Sequence, residues 1–136
     1  MDDKIAHLGF IQGVINRMGS NSFMIKGWCI TLVAAIFALS ADKANSNFAY
    51  LALFPLVIFW GLDTFFLRQE KMYRKLYEEV ANEIVKSDKF TMNASVYSKD
   101  IGCYLEVAFT KTLFPFYGVM TVMILIFMWK VLDLFK

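Results

Sequence analysis

Three apolar segments, each long enough to span a membrane, alternate with polar segments along this chain. They cover residues 24–41, 47–67 and 113–132. A helix of about 20 apolar residues crosses a hydrocarbon core of roughly 30 Å, so the pattern predicts three transmembrane helices. The chain is too short for a second domain, and we expect a single all-α membrane domain over residues 1–136.

An amphipathic helix is predicted over residues 1–20, ahead of the first span. This segment is too short and too polar to cross a bilayer, and we expect it to lie on the membrane surface or to pack on other cytoplasmic helices. The sequence GSNS at 19–22 predicts a turn and a helix cap before the first span. The apolar face of the predicted helix consists of Ile5, Leu8, Ile11, Ile15 and Met18.

The second span continues without a break into a charged segment, residues 68–112. We predict one helix over residues 47–86, because the sequence there is compatible with helix almost throughout. Its apolar face needs a protein partner: the N-terminal helix, residues 101–109 or a second subunit. Polar residues 87–100 lack a period and predict a loop. The positions expected to make contacts on this helix are Arg68, Glu70, Tyr73, Arg74, Leu76, Tyr77 and Val80, and Ile84 shares their apolar face.

Composition and charge agree with a membrane location. Hydrophobic residues make up 58% of the chain, with 14 Phe, which exceeds what a soluble core of this size needs. Eleven of the 14 basic residues precede or begin the first span or lie between the second and third spans. Positive charge is retained in the cytoplasm, so we predict a multi-pass inner-membrane protein with a cytoplasmic N-terminus and a periplasmic or extracellular C-terminus. No basic stripe with exposed aromatic residues suggests nucleic-acid binding.

Asp63 is the only acidic residue in the second apolar segment. An acid in hydrocarbon costs about 2.5–3.5 kcal/mol unless it is paired, hydrated or protonated. Lys26 at the start of the first span and Lys111 just before the third lie at nearly the same predicted depth. Three interpretations stay open: a structural ion pair or a carboxylate that reaches the interface, the polar lining of a pore or gate, and a proton relay.

Few residues in the chain suit catalysis or metal binding. His7 is the only histidine, which argues against a catalytic triad or a multi-histidine metal site. Cys29 falls in the first span and Cys103 in the cytoplasmic segment, so we expect packing residues rather than a disulfide. Nucleotide-binding, metalloprotease and nucleophile-elbow motifs do not occur in the sequence. We therefore predict neither an enzyme nor a bound cofactor.

Three strings resemble a widespread family of small bacterial inner-membrane proteins of largely unassigned activity. They are NSFMIKGWCITLVAAIFALSA, FPLVIFWGLDTFFLRQEKMYRKLYEEV and TKTLFPFYGV, and the resemblance covers nearly the whole chain. Family members are often encoded beside antiviral, nucleotide-signalling or TIR-type genes, which implies a small membrane effector of phage defence. The matching positions are Lys26, Gly27, Trp28, Trp60, Asp63, Arg68, Glu70, Arg74 and Tyr77.

Two classes of function follow from these patterns. In the first, the protein is a homo-oligomeric effector in the lipid bilayer, whose polar positions face an inner cavity and whose cytoplasmic helices receive a signalling or defence partner. In the second, it is a non-conducting membrane anchor or adaptor that docks another protein through its charged helical extension. A small-molecule carrier is a weaker alternative, because three spans without inverted repeats do not favour it.

Overall fold

A computed structural model describes residues 2–43 and 50–134, and every regular element in these ranges is helical. The all-helical prediction is confirmed for this part of the chain. Residues 44–49, which include the start of the predicted second span, lie outside the described residues. The helices are α1 (Asp2–Lys43), α2 (Leu53–Ala81), α3 (Ser98–Ile101), α4 (Tyr104–Ala108) and α5 (Phe114–Leu134), and a 3₁₀ helix (Ser95–Tyr97) precedes α3.

Helix α1 runs through the position at which the sequence predicts a turn. Residues 19–22 are helical, so the expected N-terminal helix over 1–20 and the first span are parts of one helix of 42 residues. A glycine within a helix costs roughly 1 kcal/mol relative to alanine, and each helical residue on either side adds a backbone hydrogen bond. No proline interrupts the segment. The turn prediction is wrong because local propensity alone is too weak to stop a long helix.

Helix α2 begins at Leu53 and ends at Ala81, five residues before the predicted end. Pro55 lies in its first turn, where a missing N–H breaks no helical hydrogen bond. At the other end Glu83 has φ 62, and the N–H of Ile84 donates to the carbonyl of Glu79 at 2.9 Å. A left-handed residue followed by such a bond is a Schellman termination. Ile84 therefore leaves the helix and is 67% exposed, which corrects its predicted place on the apolar face.

The chain divides into two compact units. We call the described part of 1–23 and 64–107 the charged unit, and the described part of 24–63 and 108–136 the apolar unit. The charged unit contains the first half of α1, most of α2, and α3. The apolar unit contains the second half of α1, the start of α2 and α5.

The charged unit has a hydrophobic core between α1 and α2. Ile11 and Ile15 of α1 and Leu76 of α2 are at most 3% exposed. The N-terminal helix is thus the partner that the apolar face of α2 requires. The remaining core residues are Met72, Val80 and Ala94, and the side chains packed around them are Leu8, Tyr73, Tyr77, Val85, Met92, Tyr97 and Ile101.

The apolar unit is largely apolar inside and carries large apolar side chains on its surface as well. Its interior holds the carboxylate of Asp63 and the hydroxyl of Ser40, each 0% exposed, beside apolar residues such as Ile124. Its surface holds large apolar side chains on all three helices. Exposed examples are Trp28, Ile30 and Leu32 of α1, Phe54, Val57 and Ile58 of α2, and Val119, Val122, Leu125 and Trp129 of α5.

One helix of the described chain is long and apolar enough to cross a membrane. The stretch that qualifies is Asp2–Ser40 of α1. A shorter apolar stretch, Phe114–Lys130, belongs to α5. The apolar part of α2 within the described residues starts only at Leu53. Length and composition therefore identify one candidate span, and the three-span arrangement stays a prediction.

Candidate functional site

The apolar unit encloses a polar centre formed by Lys26, Asp63 and Tyr117. The Nζ atom of Lys26 donates to Oδ2 of Asp63 at 2.5 Å. The phenol of Tyr117 donates to the same oxygen at 2.8 Å. Asp63 and Tyr117 are fully buried, whereas the side chain of Lys26 is 21% exposed. The structure thus brings together two of the three polar residues that the sequence singles out near one membrane depth.

Each of three helices supplies one member of the polar centre. Lys26 comes from α1, Asp63 from α2 and Tyr117 from α5. Their positions follow the helical period of the buried side chains, because Lys26 lies three residues before buried Cys29 and Asp63 lies seven residues after buried Leu56. Polar contacts at these positions join the three helices at one level.

Aromatic rings surround the polar centre. The rings of Trp60 and Tyr117 stack with centroids 5.4 Å apart, and the indole N–H of Trp60 donates to the carbonyl of Ala108 at 3.0 Å. The Lys26 ammonium lies 5.9 Å from the ring centroid of Phe116, within the range of a cation–π interaction. These rings pack around the phenol and hold it in place.

The chemistry of the polar centre is charge neutralisation. A buried carboxylate is stable when a cation and hydrogen-bond donors satisfy it, and here both come from the same chain. Every buried side-chain nitrogen or oxygen within the described ranges has a hydrogen-bond partner. Across the same residues, no cluster of three or more His, Cys, Asp or Glu side chains could hold a metal ion. The arrangement thus joins the three helices through polar contacts.

Tyr117 is not among the residues that the sequence singles out. A buried phenol normally finds a hydrogen-bond partner, so a tyrosine in the third apolar segment was a usable signal. Lys111 was selected, and its side chain is exposed in the turn before α5. Lys26 is the cation that meets Asp63.

In the charged unit, Arg68 holds the segment that contains α3. Its Nε donates to the carbonyl of Gly102 at 3.2 Å and its Nη2 to that of Ser98 at 2.9 Å. Its guanidinium carbon lies 4.9 Å from the ring centroid of Tyr104. Gly102 has φ 92, a conformation that favours glycine, and a Cβ there would collide with Glu106. The predicted loop at 87–100 therefore ends in an ordered helical turn.

The other predicted contact residues of α2 divide between core and surface. Leu76 and Val80 are buried in the core, and Tyr73 and Tyr77 pack against it. Two ion pairs at a spacing of four lie along the helix: Arg74 with Glu70 at 2.8 Å, and Lys75 with Glu79 at 4.0 Å. Such pairs add only a few tenths of a kcal/mol.

His7 is a structural residue that sequence reasoning used only to exclude catalysis. Its ring is fully buried in the charged unit. Nε2 donates to the carbonyl of Thr91 at 2.7 Å, and Nδ1 shares a hydrogen bond of 3.0 Å with the hydroxyl of Ser87. The ring thereby connects α1 to the loop after α2.

In the same loop region, burial raises the pKa of the Tyr97 phenol, and the nearby carboxylates Glu79 and Asp100 raise it further.

A surface pocket of about 550 Å³ also lies in the charged unit. Its polar walls carry both signs of charge, and Lys4 pairs with Glu83 at 3.2 Å. The mixture gives no preference for an anionic or a cationic ligand. The charged and hydroxyl side chains in its walls are Asp3, Lys4, Glu83, Lys86, Ser87 and Asp88.

Comparison with known proteins finds no match: no family model, no curated protein and no solved structure is similar to this chain at a significant level. The family resemblance seen in the sequence stays a prediction. The proposed function is therefore based on the side chains and their contacts.

Proposed function

We propose that the protein is a multi-span membrane anchor whose charged unit docks a partner protein and whose apolar unit conducts nothing. The observation that carries this proposal is the large apolar surface of the apolar unit. An ion pair is enclosed there, while large apolar side chains cover the outside. Contiguous exposed apolar surface marks a membrane or protein contact, and hydrocarbon is the environment in which this distribution is stable.

Each of the three helices of the apolar unit carries a large exposed apolar side chain, which supports contact with lipid. Phe54 of α2 is 70% exposed, Trp129 of α5 63% and Trp28 of α1 58%. In water, each such side chain forfeits roughly 1.5–3 kcal/mol of burial energy. Contact with lipid on all three helices would recover that energy without any further protein. The positive-inside rule then places the N-terminus and residues 68–111 in the cytoplasm and the C-terminus outside.

The enclosed polar centre supports the non-conducting part of the proposal. A pore lining needs polar groups that face a shared water path. Asp63 is fully buried, and Lys26 and Tyr117 neutralise and satisfy it from within one chain. A pair satisfied in this way contributes to the stability of the bundle instead.

The charged unit supports the docking part of the proposal. It has its own hydrophobic core, so it can present a defined surface. The outer side of α2 carries charged side chains such as Arg74, whose side chain is 61% exposed. Charged surfaces of this kind set partner choice and association rate more than affinity.

A homo-oligomeric, membrane-perturbing effector in antiviral defence is a second candidate. One observation favours it: the side chain of Lys26 is 21% exposed, so the polar centre can be reached from outside the bundle. Subunits that associate around Lys26 would place a cation at a shared cavity. Dye leakage from proteoliposomes that contain the wild-type protein, abolished by Asp63→Asn without loss of folding, would support this effector.

The two native cysteines report on topology. Cys103 is exposed in the charged unit and Cys29 is buried in the apolar unit. We expect a membrane-impermeant maleimide to label Cys103 in inverted membrane vesicles and to leave it unlabelled in intact spheroplasts. Cys29 should stay unlabelled in both, and the Cys103→Ser variant serves as the control. Labelling of Cys103 from outside would reverse the proposed orientation, and recovery of the protein in the soluble fraction would refute the membrane assignment.

Site-specific crosslinking tests docking. A photoreactive amino acid at Arg74, on the charged surface of α2, is expected to give one discrete adduct in cells that contain the neighbouring genes. The same amino acid at Val122, which is 54% exposed in the apolar unit, should give no protein adduct. Charge reversal at exposed Glu78, one turn further along α2, should weaken the Arg74 adduct, because it changes the charge of the surface recognised. Absence of any adduct at Arg74, together with leakage from proteoliposomes, would replace the anchor proposal with the effector.

A further inference from the structure

An apolar groove lies on the exposed side of α5 in the apolar unit. Its volume is about 380 Å³, within the range of about 300–1,000 Å³ that is common for small-molecule sites. Val119 on its wall is 58% exposed, so the groove is open to the surroundings of the helix. The lining residues, all apolar, are Phe114, Pro115, Gly118, Val119, Val122 and Met123.

Lys111 lies three residues before the first residue of the groove, in the turn that precedes α5. Phe114 is both the first residue of α5 and part of the groove, and its N–H donates to the carbonyl of Thr110 at 2.9 Å. Lys111 lies in the turn closed by this hydrogen bond, and its side chain is exposed. The positive end of the α5 dipole is at the same position. One end of the groove therefore favours an anion, while its walls favour hydrocarbon.

Gly118 gives the groove its depth. A Cβ atom at this position would meet the ring of Phe114 at 3.9 Å, an ordinary contact distance. A longer side chain at Gly118 would therefore occupy the groove itself. The groove is open because Gly118 has no side chain to fill the space between the ring of Phe114 and the next turn of the helix.

We propose that this groove binds an acyl chain of an anionic glycerophospholipid and that Lys111 recognises the phosphate of its headgroup. The inference rests on the proposed membrane function. Charge complementarity selects this occupant, because the phosphate meets the ammonium of Lys111 while the acyl chain covers the apolar walls. A helix from a second copy of the chain would cover the walls and leave the cation without a counter-charge.

Native mass spectrometry of the full-length protein in mild detergent tests the assignment. With equal amounts of dioleoyl phosphatidylglycerol and dioleoyl phosphatidylcholine, we expect about fivefold more bound phosphatidylglycerol, as one lysine near an anionic headgroup supplies. Lys111→Gln should remove the preference and keep the binding of both lipids. Val119→Trp should fill the groove and reduce the binding of both. An excess of inorganic phosphate should displace neither lipid, because the acyl chain is the main anchor.

Two matched control variants change residues that do not belong to the groove. Lys99→Gln removes an exposed cation of the charged unit, and Leu125→Trp enlarges a side chain of α5 that is 51% exposed and outside the groove. Both should bind lipid like the wild type. Equal lipid binding by wild type, Lys111→Gln and Val119→Trp would overturn the assignment, as would a Val119→Trp variant that loses a dimer and keeps its lipid.

Alkaline extraction of membranes keeps this inference distinct from the proposed function. A wild-type protein that resists extraction and shows no headgroup preference overturns the lipid site alone. A wild-type protein that alkali releases into solution overturns both the lipid site and the membrane anchor.

Discussion

Replacement of Asp63 by alanine is expected to lower the free energy of unfolding by about 3–5 kcal/mol. The change leaves the ammonium of Lys26 without its carboxylate, which lies 2.5 Å away in the wild type. It also removes the nearer acceptor of the Tyr117 phenol, and only the carbonyl of Phe59 at 3.3 Å is left. Loss of one partner of a buried pair costs more than loss of both, since the remaining charge stays desolvated. Thermal unfolding in mild detergent, followed by circular dichroism, measures the loss.

Two double variants serve as controls for the Asp63 prediction. Lys26→Met combined with Asp63→Leu removes both charges and should recover most of the lost stability, because an apolar pair often replaces a buried ion pair at little cost. Exchange of the charges, Lys26→Asp with Asp63→Lys, should recover part of it. If Asp63→Ala unfolds at the wild-type temperature, the polar centre contributes nothing to stability and its structural role is refuted.

A charge at Leu76 is expected to disrupt the core of the charged unit. Leu76 is 1% exposed and packs among Ile11, Ile15 and Val80. Leu76→Asp removes apolar volume and buries a carboxylate that the core cannot satisfy, so we expect a loss of at least about 3 kcal/mol. Leu76→Asp combined with Val80→Asp should abolish the core. Protection of α2 amides in hydrogen exchange reports the result residue by residue.

Ile84→Asp is the matched control for Leu76→Asp. The two residues share a helical face in the sequence, but Ile84 lies beyond the end of α2 and is 67% exposed. Its replacement should change stability by no more than about 0.5 kcal/mol. Equal losses at Leu76 and Ile84 would contradict the helix end at Ala81.

The sequence predicts those features that depend on long periodic patterns. The positions of Ile11, Ile15, Leu76 and Val80 follow from amphipathic spacing, because side chains three or four residues apart share one face of a helix. The meeting of Lys26 with Asp63 was one of three open interpretations. The sequence alone suggests this ion pair, because a charge in an apolar segment needs a partner.

The features that the sequence misses depend on single residues whose tertiary contacts decide their role. A left-handed residue ends α2 at Glu83, and a glutamate gives no sign of this conformation. His7 looks like a polar residue beside an apolar face, yet both of its nitrogens are bonded to residues more than 70 positions away. Tyr117 likewise acquires its role only through contact with Asp63. Contacts of such sequence separation cannot be read from local patterns.

The order of residues in the polar centre has a consequence for biosynthesis. Lys26 precedes Asp63 by 37 residues, whereas Tyr117 follows Asp63 by 54. A ribosome adds about 5–20 residues each second, so Asp63 emerges with its cation already made and several seconds before its phenol. In the proposed membrane anchor, the first two apolar segments can therefore pair their charges before α5 is made, and α5 closes over a carboxylate whose charge is already balanced.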